Sequence, residues 1–385
     1  MTCSLYSRIV AGGVLAAVAT AAPRVAVAQD GATQQYAMAP RSVRYDAAIV
    51  AARAMLRDSL VRSGMPGLSV AVAVDGMIVW SEGFGWADVE NRVPVEPAVT
   101  RFRVASVSKS LTSAALGQLI EAGKLDLDAP VQRYVPSFPR KPWPITTREL
   151  AGHLAGIRHY QGAETFSQRH YATVTDGLAI FEADSLLFQP NTRFSYSSYG
   201  WDLIGAVVEG ASGEQFVEYM ERHVFQPLGL RSIVAEYADS IIDGRARFYE
   251  KGTDGRVLNA PYVDNSYKWA GGGFLATSED LARYGVAMSA PGFLKAATLK
   301  LLFTSQRTTD GVETGYGMGW FTTRHLGGPG GPSCVGHSGG AVGGVSYLLL
   351  CPTEHVVVAI IGNGESSFVG SGTTAEALGG LFARQ

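Results

Sequence analysis

Leu68-Ser-Val-Ala-Val-Ala-Val74, Asp75-Gly76, Met77-Ile-Val-Trp80 decides the fold class. Two apolar, β-branched runs are joined by a two-residue Asp-Gly turn, the sequence signature of a β-hairpin. Upstream, Val43 to Ser63 reads as a helix ended by Gly64. Downstream, Ser106 to Ala122 has helical spacing, with Leu111, Ala115, Leu116, Leu119 and Ile120 on one side. From about Asp126 to Ala260 the chain reads as helices and loops. There Ser212-Gly-Glu-Gln215 has the form of a capping box opening a helix from Gln215 to Val224. Strands return at Val335 to His337, Val345 to Leu350 and Val356 to Ile361, and a helix follows from about Thr374. Strands, helices, strands, helix is an α+β order: a sheet unit (43–125 and 261–385) split by a helical domain (126–260), not an alternating βαβ chain.

The 385 residues allow two or three structural units. With 46% hydrophobic and 17% charged residues, wholesale disorder is excluded. Lys plus Arg is 32 against 34 Asp plus Glu, so no basic excess invites nucleic acid. The first 28 residues have a secretory layout: Arg8, the apolar stretch Ile9 to Ala22, then Ala26-Val27-Ala28 as a cleavage site. Residues 29–42 read as a loose leader. No later segment reaches 18 uninterrupted apolar residues, so no stable membrane span is expected after cleavage. The expected destination is export, to the periplasm or the medium.

Three short motifs can carry chemistry. In Ser106-Val107-Ser108-Lys109, a serine and a lysine three residues apart share one helix face. A serine needs a base to become a nucleophile, and a lysine of lowered pKa can be one. In Tyr196-Ser197-Ser198, a phenol can serve as base only where cations hold its anion. In His337-Ser338-Gly339-Gly340, small residues on a strand admit a substrate backbone. The amides of Ser106 and Gly340 are the candidate oxyanion donors.

In this order and spacing the motifs resemble those of the serine β-lactamase and penicillin-binding-protein superfamily. The likeness is to its class C side, and within that to the mitochondrial serine β-lactamase-like proteins and their bacterial relatives. Supporting segments are Pro66-Gly-Leu-Ser-Val70, Gly83-Phe-Gly-Trp86, Phe102-Arg-Val-Ala-Ser-Val-Ser-Lys109, His153-Leu-Ala-Gly-Ile-Arg-His-Tyr160, Ala270-Gly-Gly-Gly273 and Tyr316-Gly-Met-Gly-Trp320. The resemblance implies an antiparallel sheet flanked by helices, with the cleft against an inserted helical domain. It implies Ser106 as the acylated nucleophile and Lys109 with Tyr196 as its general-base pair. Ser198, His337, Ser338 and Gly339 then face the substrate, a small molecule or peptide, and neither metal nor organic cofactor is required. Two departures weaken the case for a dedicated β-lactamase. Ser198 stands where the family has an amide-binding Asn, and His337 stands where it has Lys. A histidine beside Tyr196 is expected to gate activity through its charge, giving a limb in the histidine pH range. A peptidase or amidase is the first expectation, then a β-lactamase or esterase. From another class, a non-catalytic relative that binds peptidoglycan or self-assembles remains open.

Gly336-His-Ser-Gly-Gly340 also spells the nucleophile elbow of α/β-hydrolases, but a Gly-rich turn and a strand follow where a helix is required. Glu149 and His153 lack the second histidine of a zinc helix. Cys334 and Cys351 are the two cysteines left after signal removal. If Gly339 faces Ser346 across a hairpin, Cys334 faces Cys351, which places a disulfide within reach in an oxidising compartment; two buried thiols are the alternative.

Overall fold

In the computed structural model, which describes residues 36–37 and 43–383, the Asp75-Gly76 hairpin lies within an antiparallel sheet. Its strands are β1 (Tyr36–Ala37), β2 (Gly67–Val74), β3 (Met77–Asp88), β4 (Phe321–His325), β5 (Ser333–Ala341), β6 (Gly344–Cys351) and β7 (Val356–Gly362). The spatial order is β1-β3-β2-β7-β6-β5-β4, and the short pair Val93–Pro94 adds to β3. Asp75 and Gly76 both have positive φ, 51° and 81°. That is what a two-residue turn matched to the twist of its strands demands. Tyr36–Ala37, within the stretch read as a loose leader, pairs with Gly83 and Glu82 of β3. The signal-peptide reading falls on residues 1–28, outside the described residues.

The strands look uniformly apolar because both faces are covered. Leu68, Val70 and Val72 of β2 pack with Val358 and Ile360 against the helices α1 (Asp46–Ser63) and, at the chain's far end, Thr373–Ala383. Ala71, Ala73, Ala359 and Ile361 point the other way into a second core. That core includes α2 (Val107–Glu121), α3 (Ser198–Ser212), α4 (Trp269–Gly272) and α5 (Ser278–Ser289). The terminal helix Thr373–Ala383 is α6. α1 ends where the notch is cut for it: Gly64 takes φ 69° and returns its amide to Leu60 O.

One local reading is corrected. The helix read from Gln215 to Val224 is present, over Phe216–Tyr219 and Met220–Phe225, but Ser212 does not cap it. α3 runs on to Ser212 and stops at Gly213, φ 81°. The Ser212 hydroxyl turns back to Val208 O at 2.7 Å and accepts from Glu214 N. The next turn, Phe216–Tyr219, continues as a π-helical turn over Met220–Phe225. Its orphan Phe216 amide is satisfied by Glu209 Oε1 at 2.9 Å, from the preceding helix. A tertiary acceptor has replaced the local cap.

β5 and β6 pair with Gly339 opposite Ser346 and Val335 opposite Leu350. Cys334 and Cys351 are buried and joined by a disulfide, 17 residues apart in sequence. Closing a loop of that size stabilises by about 3 kcal/mol in the chain-entropy account. Two outcomes are expected. Cys334→Ser with Cys351→Ser should lower unfolding stability in urea by about 3 kcal/mol, with a steeper slope as the unfolded chain expands. Gly339→Ala should cost at least ~1–3 kcal/mol, since an added Cβ would lie 2.3 Å from both Val104 O and Ser346 Oγ. The same urea titration reads both.

Candidate active site

The site begins with a strained turn. Ala105 has φ 49°, a left-handed conformation unfavourable for a residue with a Cβ. It swings Ser106 to the N-terminal boundary of α2. A serine there ordinarily caps the helix with its hydroxyl, but Ser106 makes no such bond. Its Oγ instead accepts from Lys109 Nζ at 3.1 Å, one helical turn on. The α4 segment is laced to the same turn of α2. Thr112 Oγ1 donates to Ala270 O, and Phe274 N donates to Ser108 Oγ.

Lys109 is fully buried. Its ammonium has three acceptors: Ser106 Oγ, Ser198 Oγ at 3.0 Å, and the carbonyl of Gly271. Burial lowers its pKa to about 7, the nearby Asp202 carboxylate opposing and Lys268 reinforcing the shift. A lysine so placed is half unprotonated near neutral pH, and its proton-free form faces the Ser106 hydroxyl.

Tyr196 sits just before the N-cap of α3, with Lys109 Nζ 5.1 Å from its ring centroid. Burial pushes its phenol above the ordinary value, against hydrogen bonds to the hydroxyls of Ser106 and Ser198. Two histidines hold the backbone around it. His153 Nδ1 accepts from Ser197 N and His159 Nδ1 accepts from Ser198 N, each at 3.1 Å. His153 is also wedged between the rings of Tyr196 and Tyr316, centroids 4.3 and 4.6 Å away. Ser197 Oγ closes the helix end by accepting from Gly200 N.

β5 supplies the opposite wall. Gly339 lies against the carbonyl of Val104, and Ser346 Oγ on β6 donates to that carbonyl at 2.6 Å. The hairpin is thereby fixed to the backbone that leads into Ser106. Gly340 is exposed, with open space where a side chain would be. A cavity of about 500 Å³ runs along Ser338, Gly339 and Gly340, and the charged side chains lining it are Glu250 and Glu365. A larger cavity, about 1030 Å³, lies behind Trp269 and Phe274 and includes none of the candidate residues.

His337 requires a correction. It is buried, with Nε2 2.8 Å from Tyr316 Oη and Nδ1 2.6 Å from Ser338 O. The carbonyl accepts from Nδ1–H, so Nε2 accepts from the Tyr316 hydroxyl. Burial and the Lys109 charge lower its pKa to about 3. Its ring centroid is 6.2 Å from that of Tyr196, but it carries no charge near neutral pH. A pH limb near neutrality in this site is therefore not that of His337.

Sequence reasoning missed Asp202, Lys268, Tyr316 as the partner of His337, and the strain at Ala105. Asp202 left a signal: it is the one ionisable residue in Trp201-Asp-Leu-Ile204, four residues after Ser198 and on the same helix face.

The Beta-lactamase family model matches residues 47–380. The human "Serine beta-lactamase-like protein LACTB, mitochondrial" is 36% identical over 408 residues, covering 82% of this chain and 74% of its own. Among solved structures, the octameric penicillin-binding protein homologue of Pyrococcus abyssi superposes with a TM-score of 0.73 at 26% identity, over 86% of this chain and 76% of that one. The D-amino acid amidase of Ochrobactrum anthropi shares the fold, with a TM-score of 0.74 at 22% identity over 88% of this chain and 99% of its own. The chain belongs to the Beta-lactamase family, with the fold of the penicillin-binding-protein-like serine hydrolases.

Proposed function

We propose that the protein is a serine hydrolase that works through an acyl-enzyme on small amides or peptides. The observation that carries this is the contact between Lys109 Nζ and Ser106 Oγ, with the lysine buried and poised near neutrality. Ser106 Oγ attacks the carbonyl carbon as its proton passes to the unprotonated Lys109 Nζ. The Oγ–C bond forms, and the amides of Ser106 and Gly340 receive the oxyanion. The C–N bond breaks as the leaving amine takes a proton through Tyr196, which Lys109 replenishes. Water then releases the acyl group by the same route in reverse. Tyr196 acts as relay, because its phenol is held neutral by burial.

Substrates lacking a carboxylate beside the scissile bond are favoured over penicillins. His337 is neutral. Ser198 offers a hydroxyl where the family's Asn would offer an amide, and the charged side chains lining the cavity along Ser338, Gly339 and Gly340 are two carboxylates, Glu250 and Glu365. An anionic group entering there meets no cation. Export remains a reading of residues 1–28. The human relative carries "mitochondrial" in its name, and among the described residues no helix is long and apolar enough to cross a membrane.

Incubation with a fluorophosphonate and, separately, a fluorescent penicillin, followed by intact mass, tests this reading. A single fluorophosphonate adduct on Ser106 is expected, with little or no penicilloyl adduct. Ser106→Ala should lose the adduct while keeping the fold, and Lys109→Ala should slow labelling at least ~10²-fold. An adduct that persists in Ser106→Ala, or forms on Ser338, refutes the assignment.

The pH dependence has a fixed sign. Lys109 acts as base only when unprotonated, so kcat/KM should fall as pH drops through about 7. In His337→Gln that limb should stay in place, because His337 is neutral throughout the range. A limb that vanishes in His337→Gln would transfer the titration to the histidine.

A further inference from the structure

Behind Gly271 lies a carboxyl that the reaction outlined above does not use. Asp202 is buried on α3, one turn beyond Ser198, whose hydroxyl contacts Lys109. Neither of its oxygens has a hydrogen-bond partner among the described residues. The Gly271 amide approaches it without completing the geometry of a full bond. A Cβ on Gly271 would stand 2.6 Å from Asp202 Oδ1 and 3.0 Å from Ser198 O. A glycine is therefore needed for the carboxyl to lie directly beneath the residue whose carbonyl accepts from Lys109. A buried, unpartnered carboxyl is costly, and its retention calls for a role.

A second buried lysine also acts on this carboxyl through its charge. Lys268 immediately precedes α4, with Nζ 5.2 and 5.7 Å from the ring centroids of Tyr267 and Tyr160. Beyond it, Arg103 is paired with Glu236 through three hydrogen bonds of 2.8–3.0 Å, and Asn265 Nδ2 adds a fourth to that carboxylate. That pair is charge-balanced. The chamber behind Ser106 thus holds two ammonium groups and one carboxyl.

We infer that Asp202 is a positioning residue for the protonation state of Lys109: its carboxyl, packed against Gly271, whose carbonyl accepts from Lys109, decides how readily Lys109 sheds its proton to become the base for Ser106. This rests on the reading of Ser106 and Lys109 under Proposed function.

Other groups facing the chamber stay neutral over the relevant range. Burial raises the phenols of Tyr160, Tyr196, Tyr199 and Tyr267. It also lowers the imidazoles of His153, His159 and His337. Burial lowers Lys109 and Lys268 and raises Asp202, and their charges act on one another, so these three titrate as one coupled unit. An ionised Asp202 holds the proton on Lys109, whereas Lys268 drives it off. The two substitutions must therefore act in opposite directions.

The readout is the rate at which a fluorophosphonate phosphonylates Ser106, followed by intact mass from pH 5 to 9. In that step the Oγ–P bond forms, fluoride leaves, and the Ser106 proton goes to Lys109. In Asp202→Asn the acid limb should move to lower pH by about 1 unit or more. In Lys268→Met it should move to higher pH by a similar amount. A merely structural lesion would lower the rate at every pH and leave the limb in place. A folded Asp202→Asn with an unmoved limb overturns the inference, as does a limb that moves the same way in both variants. Should Asp202→Asn not fold, Asp202→Ser removes the same charge with less bulk and is judged by the same limb. Failure of the wild type to label Ser106 overturns the functional reading and this inference together; normal labelling with an unmoved limb overturns this inference alone.

Discussion

Everything around the candidate site serves one constraint: an ammonium group must sit in the protein interior without being fully neutralised. Lys109 has no exposed surface. Removing a charge from water costs several kcal/mol, and a complete ion pair would repay it by fixing the proton in place. The molecule takes an intermediate course. Two hydroxyls and one carbonyl solvate the ammonium with dipoles. These lower the cost of burial without supplying a full counter-charge at hydrogen-bond distance. The result is a lysine that holds a proton weakly, beside an oxygen that must lose one.

That arrangement needs backbone from four places in the chain. α2 brings the serine and lysine, the start of α3 brings Tyr196 and Ser198, α4 brings the Gly271 carbonyl, and β5 brings Gly340. Each is fixed by bonds that have no chemical part to play. Thr112 and Ser108 tie α2 to the α4 segment, His153 and His159 hold the amides at the head of α3, and Ser346 ties the β5–β6 hairpin to Val104. The precision of the site is thus a property of polar clasps between rigid elements, and the sheet is the frame to which they attach.

Much of this was legible in the residues. The Asp-Gly turn with its flanking apolar runs specified a hairpin, and the spacing of Ser106 and Lys109 specified a shared helix face. The register that set Gly339 against Ser346 is the one the strands adopt, and with it the two cysteines meet. What escaped the sequence shares a physical cause. The Ser212 box failed because Ser212 turns back to Val208 O and Glu209 takes the orphan Phe216 amide. His337 lost its expected charge because burial and the Lys109 charge hold it neutral, and neither is visible from the strand itself. Ala105, with its positive φ, lies beside Gly339 of a hairpin far along the chain. Asp202 and Lys268 matter through proximity across elements far apart in the chain. Local patterns report local geometry; a proton's energy depends on what the fold brings alongside.

The placement of β7 between β2 and β6 has a consequence for how the chain reaches this state. β2 opens at Gly67, yet its partner Val74↔Val356 to Leu68↔Gly362 is supplied almost at the end of the chain. During synthesis the β2–β3 hairpin must wait, with one edge unpaired, until the distant β7 has been made. Sheets closed by such distant partners fold slowly, and their open edges invite pairing with other chains. The centre of the sheet is therefore its last part to be completed, and a newly made chain depends for that interval on whatever shields the free edge of β2.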